Sequence, residues 1–262
     1  MKKDNSRVIA VTNQKGGVGK TTTSVNLADY LSKFKKKTLL IDLDPQASAT
    51  CSLGINRRLI KHTIHDVLLG KVKILDSIVK PQYSTCDVVC SNLSLSDLEL
   101  EIADNPDKLF LLSQALETAR EEYDYIIFDC PPSLGVITLN ALYAADSVLI
   151  PVQCQFLAMD GLTQLLNTIK VVQKKKKVNN KKLEIEGVLL TMLEKNVKSC
   201  WQIVTEIKEC FGKKVFNTII VKNVKASEAP MYSKPVGVYA KSSVAAKGYR
   251  DLAKELILNN GK

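Results

Sequence analysis

The chain has 262 residues, 45% hydrophobic and 24% charged, enough for one large α/β domain, and it lacks the run of about 18 to 20 apolar residues that crosses a bilayer. Its seven cysteines are scattered without CxxC pairs, which argues against a disulfide framework or a zinc site. A formal net charge of +10 suits a polyanion, nucleic acid or anionic lipid, or else a merely solvated lysine-rich surface.

The N-terminus, MKKDNSRVIAV, follows its two lysines with polar residues rather than an apolar core, so no signal peptide is read and a cytoplasmic location is expected. RVIAVT reads as a β-branched strand. The stretch VTNQKGGVGKTTT, 11–23, follows it and opens a helix, KTTTSVNLADYLSKF, with Val25, Leu27, Ala28, Leu31 and Phe34 on roughly one face. Strand, glycine-rich turn and helix start fall in the order a phosphate site requires. Gly16, Gly17 and Gly19 let backbone N–H groups curl round an anion, Lys20 supplies a point charge to the β- and γ-phosphates, and the Thr21 hydroxyl is placed to ligate Mg²⁺. The usual pattern G-x-x-x-x-G-K-[ST] puts its leading glycine at 14. Here Gln14 stands there, and a second lysine, Lys15, follows at once.

TLLIDLD is the next strand, and it closes on Asp42 and Asp44. At a strand end the two are expected to point apart, one inward to the phosphate loop and one to the γ-phosphate mouth. No glutamine or glutamate stands beside Asp129 to orient an attacking water, so Asp44 is the candidate for that task. CDVVCSN, YDYIIFDC, DSVLIPVQ, LEIEGVLLTM and VFNTIIV read as further strands, with helical stretches between most of them. YDYIIFDC ends in Asp129, the acidic residue expected in the Mg²⁺ shell. Runs such as IIF and VLI are apolar on both faces, which predicts a doubly wound, mostly parallel sheet with helices on both faces and the site at the strand carboxyl ends. KKKKVNNKK, 174–182, is expected to be a solvated loop, with polyanion contact as its functional alternative. GYRDLAKELILNNGK reads as a last helix with a short polar tail, not as a basic amphipathic membrane anchor. A single domain over 1–262 is expected, with flexible ends at 1–6 and 258–262.

Five motifs, KGGVGKTTT, LLIDLDPQ, YDYIIFDCPPSLG, VQCQFLAMDGLTQLL and KASEAPMYSKPV, occur in order between about residues 8 and 256. Together they resemble the ParA/Soj partitioning ATPases, of the deviant Walker A class of P-loop NTPases that also includes MinD. The first strand begins almost at once, as in the short Soj-like members, which implies that the chain does not itself recognise an operator.

The resemblance implies an ATP- and Mg²⁺-dependent ATPase whose nucleotide is held by Lys15, Gly16, Gly17, Val18, Gly19, Lys20, Thr21 and Thr22, with Thr21 and Asp129 at the metal. Lys20 serves the chain's own ATP, and Lys15 is the signature lysine that reaches the partner's ATP in a homodimer. ATP holds that dimer together and hydrolysis releases it. The backbone of Val221 and the Asn223 side chain fall at the adenine, although members usually have Pro-Arg where this chain has Val221-Lys222. Nonspecific double-stranded DNA binding falls to Lys195, Lys198 and Lys225, with Asn196 where many members carry arginine. The implied partner is a ParB-type centromere-binding protein that stimulates slow hydrolysis on the nucleoid. The alternatives are a MinD-like membrane-associated positioning ATPase and an iron–sulfur carrier, for which Cys86, Cys90 and Cys130 lack the spacing.

Overall fold

A computed structural model describes residues 6–155, 160–178 and 180–261. Residues 1–5 and 262 of the expected flexible ends, 156–159 of VQCQFLAMDGLTQLL and 179 of the lysine-rich run lie outside the described residues. Strands β1 (Arg7–Val11), β2 (Thr38–Asp42), β3 (Ile78–Val79), β4 (Asp87–Val89), β5 (Tyr125–Asp129), β6 (Ser147–Gln153) and β7 (Glu184–Thr191) form one sheet in the order β3-β4-β2-β5-β1-β6-β7. Neighbours are parallel except β3 against β4. The longer helices are α1 (Lys20–Lys33), α2 (Val136–Ala144), α3 (Asp160–Val178), α4 (Lys198–Phe211) and α5 (Val244–Asn259).

Alternation along the strands divides the core in two. Ile9, Val11, Leu40, Ile127, Leu149 and Leu189 pack on one face with Leu27 and Leu31 of α1 and with Tyr249, Leu252 and Leu256 of α5. Val8, Ala10, Ile41, Phe128, Val148 and Leu190 face the other way, against Leu142 of α2, Leu165 and Ile169 of α3, and Val204 and Ile207 of α4. Ile127 and Phe128 are therefore neighbours in sequence yet fully buried in opposite layers. Each such side chain contributes roughly 1.5–3 kcal/mol of burial, and that double demand accounts for the unbroken apolar run.

The expected strand VFNTIIV does not form. Only its ends bridge to the neighbouring chain, Val215 with Val188 and Val221 with Leu193. Between them the N–H groups of Asn217 and Thr218 turn to the Glu255 carboxylate of α5, at 2.7 and 2.9 Å, instead of to β7. Phe216 sets the spacing, since its ring packs where a side chain at Gly187 would sit.

The lysine-rich run also differs from expectation. Lys174, Lys175, Lys176 and Lys177 end α3, and Lys176 is buried, donating to the carbonyls of Tyr143 and Ala145 at the C-terminus of α2. Those carbonyls have no helical partner, and the lysine's N–H groups satisfy them. At the chain's other end, where 258–262 is expected to be flexible, α5 continues to Asn259 and Asn260 Nδ2 donates to Glu186 Oε1 at 2.9 Å.

Burial pulls the Lys176 ammonium down from 10.5 to about 8, with Arg120 and Lys181 acting in the same direction and Asp146 opposing. Between those two values the unfolded chain holds a proton that the folded one has released, so stability gained from this group rises with pH across that window. The unfolding free energy of the native chain should therefore rise from pH 8 to 10.5 relative to that of Lys176→Met, as measured by urea denaturation; parallel pH profiles would contradict it.

Candidate functional site

The loop between β1 and α1 is shaped by two left-handed glycines, Gly17 (φ 74°) and Gly19 (φ 88°), a conformation that side-chain-bearing residues adopt only with strain. Asn13, which is buried, anchors it: Nδ2 donates to Pro151 O at 2.7 Å and Oδ1 accepts from Lys15 N at 3.0 Å. The two lysines part company here. Lys20 is buried and its Nζ crosses the loop to Lys15 O at 3.1 Å, whereas the half-buried Lys15 side chain has no partner among the described residues. Burial lowers the Lys20 pKa, and the neighbouring carboxyl groups of Asp129 and Asp44 work against that shift. Lys20, Asp129 and Asp44 are thus brought together, as expected from their motifs.

Asp129, at the end of β5, is fully buried. Ser24 of α1 donates to its Oδ1 at 2.9 Å, while Oδ2 is buried with no hydrogen-bond partner among the described residues. Burial raises its pKa and neighbouring Asp42 raises it further, while the Thr21 and Ser24 hydroxyls favour the charged form. A buried, unpartnered carboxylate oxygen beside a threonine hydroxyl fits a hard divalent cation such as Mg²⁺, whose ligands are oxygens and whose charge would offset this burial.

Asp42 and Asp44 take different tasks, but the inward one does not turn to the phosphate loop. Asp42 Oδ2 accepts from Thr50 N and Thr50 Oγ1, both at 2.8 Å, and its Oδ1 from Asp44 N at 3.1 Å, so it folds the chain after β2. Asp44 is only partly buried; its Oδ1 accepts from Gln46 N at 2.9 Å in a local turn and its charge is felt by both Lys20 and Asp129. Asn13, Ser24 and Thr50 have no place in the motif reading, although Ser24 falls one helical turn after Lys20, on the same side of α1.

A family model described as an AAA domain matches residues 6–185. The chain is 46% identical over 253 residues to the sporulation initiation inhibitor protein Soj of Bacillus subtilis, covering 97% of this chain and 99% of that one. It is 42% identical over 253 residues to the chromosome partitioning protein ParA of Caulobacter vibrioides, covering 96% and 94%. The chain belongs to the ParA/Soj family. Among solved structures it is similar to the cobyrinic acid a,c-diamide synthase of Mycobacterium smegmatis with a bound ATP analogue and magnesium, at 32% identity and a TM-score of 0.86 over 98% and 97% of the two chains. That protein's name describes a different activity, so the fold is shared more widely than the function.

The ParA/Soj positions outside the loop are arranged along the end of β7. Leu193 N donates to Ile220 O and Lys222 N to Leu193 O, both at 3.1 Å, which sets Val221 and Asn223 beside the segment that carries Lys195 and Lys198. Asn223 Oδ1 caps the following short helix by accepting from Lys225 N at 3.1 Å, and Lys222 pairs with Glu194 at 3.1 Å. Lys195 and Lys198 are exposed. Lys225 is not a free cation: its Nζ lies 2.8 Å from Glu228 Oε2 and over the Tyr239 ring, and Tyr239 donates to the same carboxylate at 2.8 Å.

The split between the two aspartates is measurable. Asp42→Ala strands three buried or half-buried donors and should cost about 2–4 kcal/mol in urea unfolding, whereas Asp44→Ala, freeing only Gln46 N, should cost about 1 kcal/mol or less. Equal losses would contradict the assignment.

Proposed function

We propose that the chain is an Mg²⁺-dependent ATPase that partitions chromosomal or plasmid DNA, acting as an ATP-dependent homodimer. The observation that carries this reading is the division of the two loop lysines, Lys20 buried with its Nζ on its own loop and Lys15 half-buried with its side chain unpartnered among the described residues, within a ParA/Soj family member. The loop amides and Lys20 hold the phosphates of the chain's own ATP, and Lys15 meets the ATP of a second copy, so two nucleotides become part of one interface. Thr21 and Asp129 would hold Mg²⁺, which supplies charge neutralisation at the β- and γ-phosphates. Asp44 orients the attacking water in line with the leaving group, while Lys20 and Lys15 stabilise charge on the transferring phosphoryl group.

DNA contact without sequence preference falls first to exposed Lys195 and Lys198; Lys225 joins only when a phosphate oxygen displaces Glu228. Val221 and Asn223 are the adenine contacts in this reading, and a ParB-type centromere-binding protein on the nucleoid is the partner that stimulates turnover. A MinD-like membrane role draws no support from α5, because Tyr249, Leu252 and Leu256 on its apolar side pack into the core. No helix among the described residues is long and apolar enough to cross a membrane.

Lys20→Ala should abolish ATP binding, whereas Lys15→Gln should bind ATP as a monomer and fail to dimerise; equilibrium binding combined with sizing chromatography separates the two, and equal loss of affinity would refute the cross-dimer role. Asp44→Ala should bind ATP, dimerise and accumulate as the dimer, and phosphate release at the native rate would refute its role. In that background, DNA binding followed by anisotropy should need ATP rather than ADP. Lys198→Glu should flatten the log–log salt slope by about one to two units in the dimer on any duplex. Equal affinity with ADP and ATP would refute the nucleotide switch.

A further inference from the structure

We infer that Thr191, at the end of β7, is a positioning residue for the phosphate loop: it fixes the Val18–Gly19 peptide so that Gly19 N–H faces the bound phosphates. The inference rests on the ATP-binding reading above and adds a residue from outside its motifs. Thr191 is 1% exposed, and its Oγ1 donates to Val18 O at 2.9 Å across 173 positions of sequence. All peptide bonds among the described residues are trans, and in a trans peptide C=O and the following N–H point in opposite directions. Drawing Val18 O toward β7 therefore turns Gly19 N–H away from β7, and that N–H has no acceptor among the described residues.

A second observation places the end of β7 against the same peptide. A Cβ placed on Gly19 would lie 3.6 Å from Met192 Cε and 4.0 Å from Thr191 Cγ2, so the end of β7 lines that side of Gly19 at ordinary contact distance. Met192 itself holds a left-handed backbone (φ 52°), a conformation that costs a non-glycine residue about 1 kcal/mol or more and persists only where the surroundings demand it. Thr191 O in turn accepts from Cys154 N at 3.1 Å, which ties this end of β7 to β6. Removing the Thr191 hydroxyl leaves Val18 O buried without its donor, and the peptide is then free to rotate its N–H out of the phosphate site.

The test compares Thr191→Val, which keeps the shape and loses the donor, with Thr191→Ser, which keeps the donor. Calorimetric titration with Mg-ATP should show about tenfold weaker binding for Thr191→Val, the worth of one hydrogen bond of about 1.4 kcal/mol, and binding within about threefold of native for Thr191→Ser. In steady-state turnover the loss should appear in KM, with kcat retained at saturating ATP. Native ATP affinity in Thr191→Val, even with lowered thermal stability, would overturn the inference, and so would equal weakening in both variants. Failure of the native chain to bind ATP would instead overturn the ATPase reading.

Discussion

Asp42 and Asp129 end neighbouring strands in register, side by side and both fully buried. Two carboxylates taken out of water at that spacing repel, and isolated they would not remain charged. The surrounding structure is arranged around that constraint. Asp42 is satisfied by the turn that follows it, through Thr50 and Asp44 N, so the chain after β2 must fold back into a short helix. Asp129 is satisfied only in part, by Ser24 from the first turns of α1, with Lys20 nearby as the compensating cation. The helix that follows the phosphate loop is thereby held against the strand that ends in the acid, and one carboxylate oxygen is left unpartnered among the described residues.

The same economy separates the two lysines of one loop. Lys20 begins a buried helix and has little choice of direction; desolvation and the acids around it pin its ammonium over the loop. Lys15 precedes the glycines, its backbone N–H is held by Asn13, and its half-buried side chain has no partner among the described residues. A loop with a single lysine would serve only its own nucleotide. With two, one is committed to the loop itself and the other is left unpartnered among the described residues.

What the sequence shows and what it hides follow from range. Strands buried on both faces are written locally, as in YIIFD and SVLIPV, and so is the phosphate loop, because strand, glycine turn and helix start are adjacent. VFNTIIV carries the same apolar signal, yet Glu255, distant in sequence, takes two of its N–H groups. The lysine-rich run looks solvated until α2 supplies carbonyls for Lys176. The nearness of Asp44 and Asp129 to Lys20 is legible, but the inward partner of Asp42 is Thr50, not the loop. Lys225 reads as a phosphate contact, and only the fold places Glu228 and Tyr239 around it. Ser24 and Asn13 are ordinary polar residues whose partners lie 105 and 138 positions away, and no spacing rule reaches so far.

Both margins of the sheet are closed to further strands. On one side β3 is two residues long and is followed by Lys80, features that discourage pairing. On the other, Phe216 N and Ile220 N already occupy the outward carbonyls of β7 at Val188 and Leu190. A second copy, or an extended peptide from another protein, is therefore offered little backbone ladder to continue. An assembly built on this molecule would rest on side-chain contacts, and such contacts, unlike a continued sheet, can be broken one at a time.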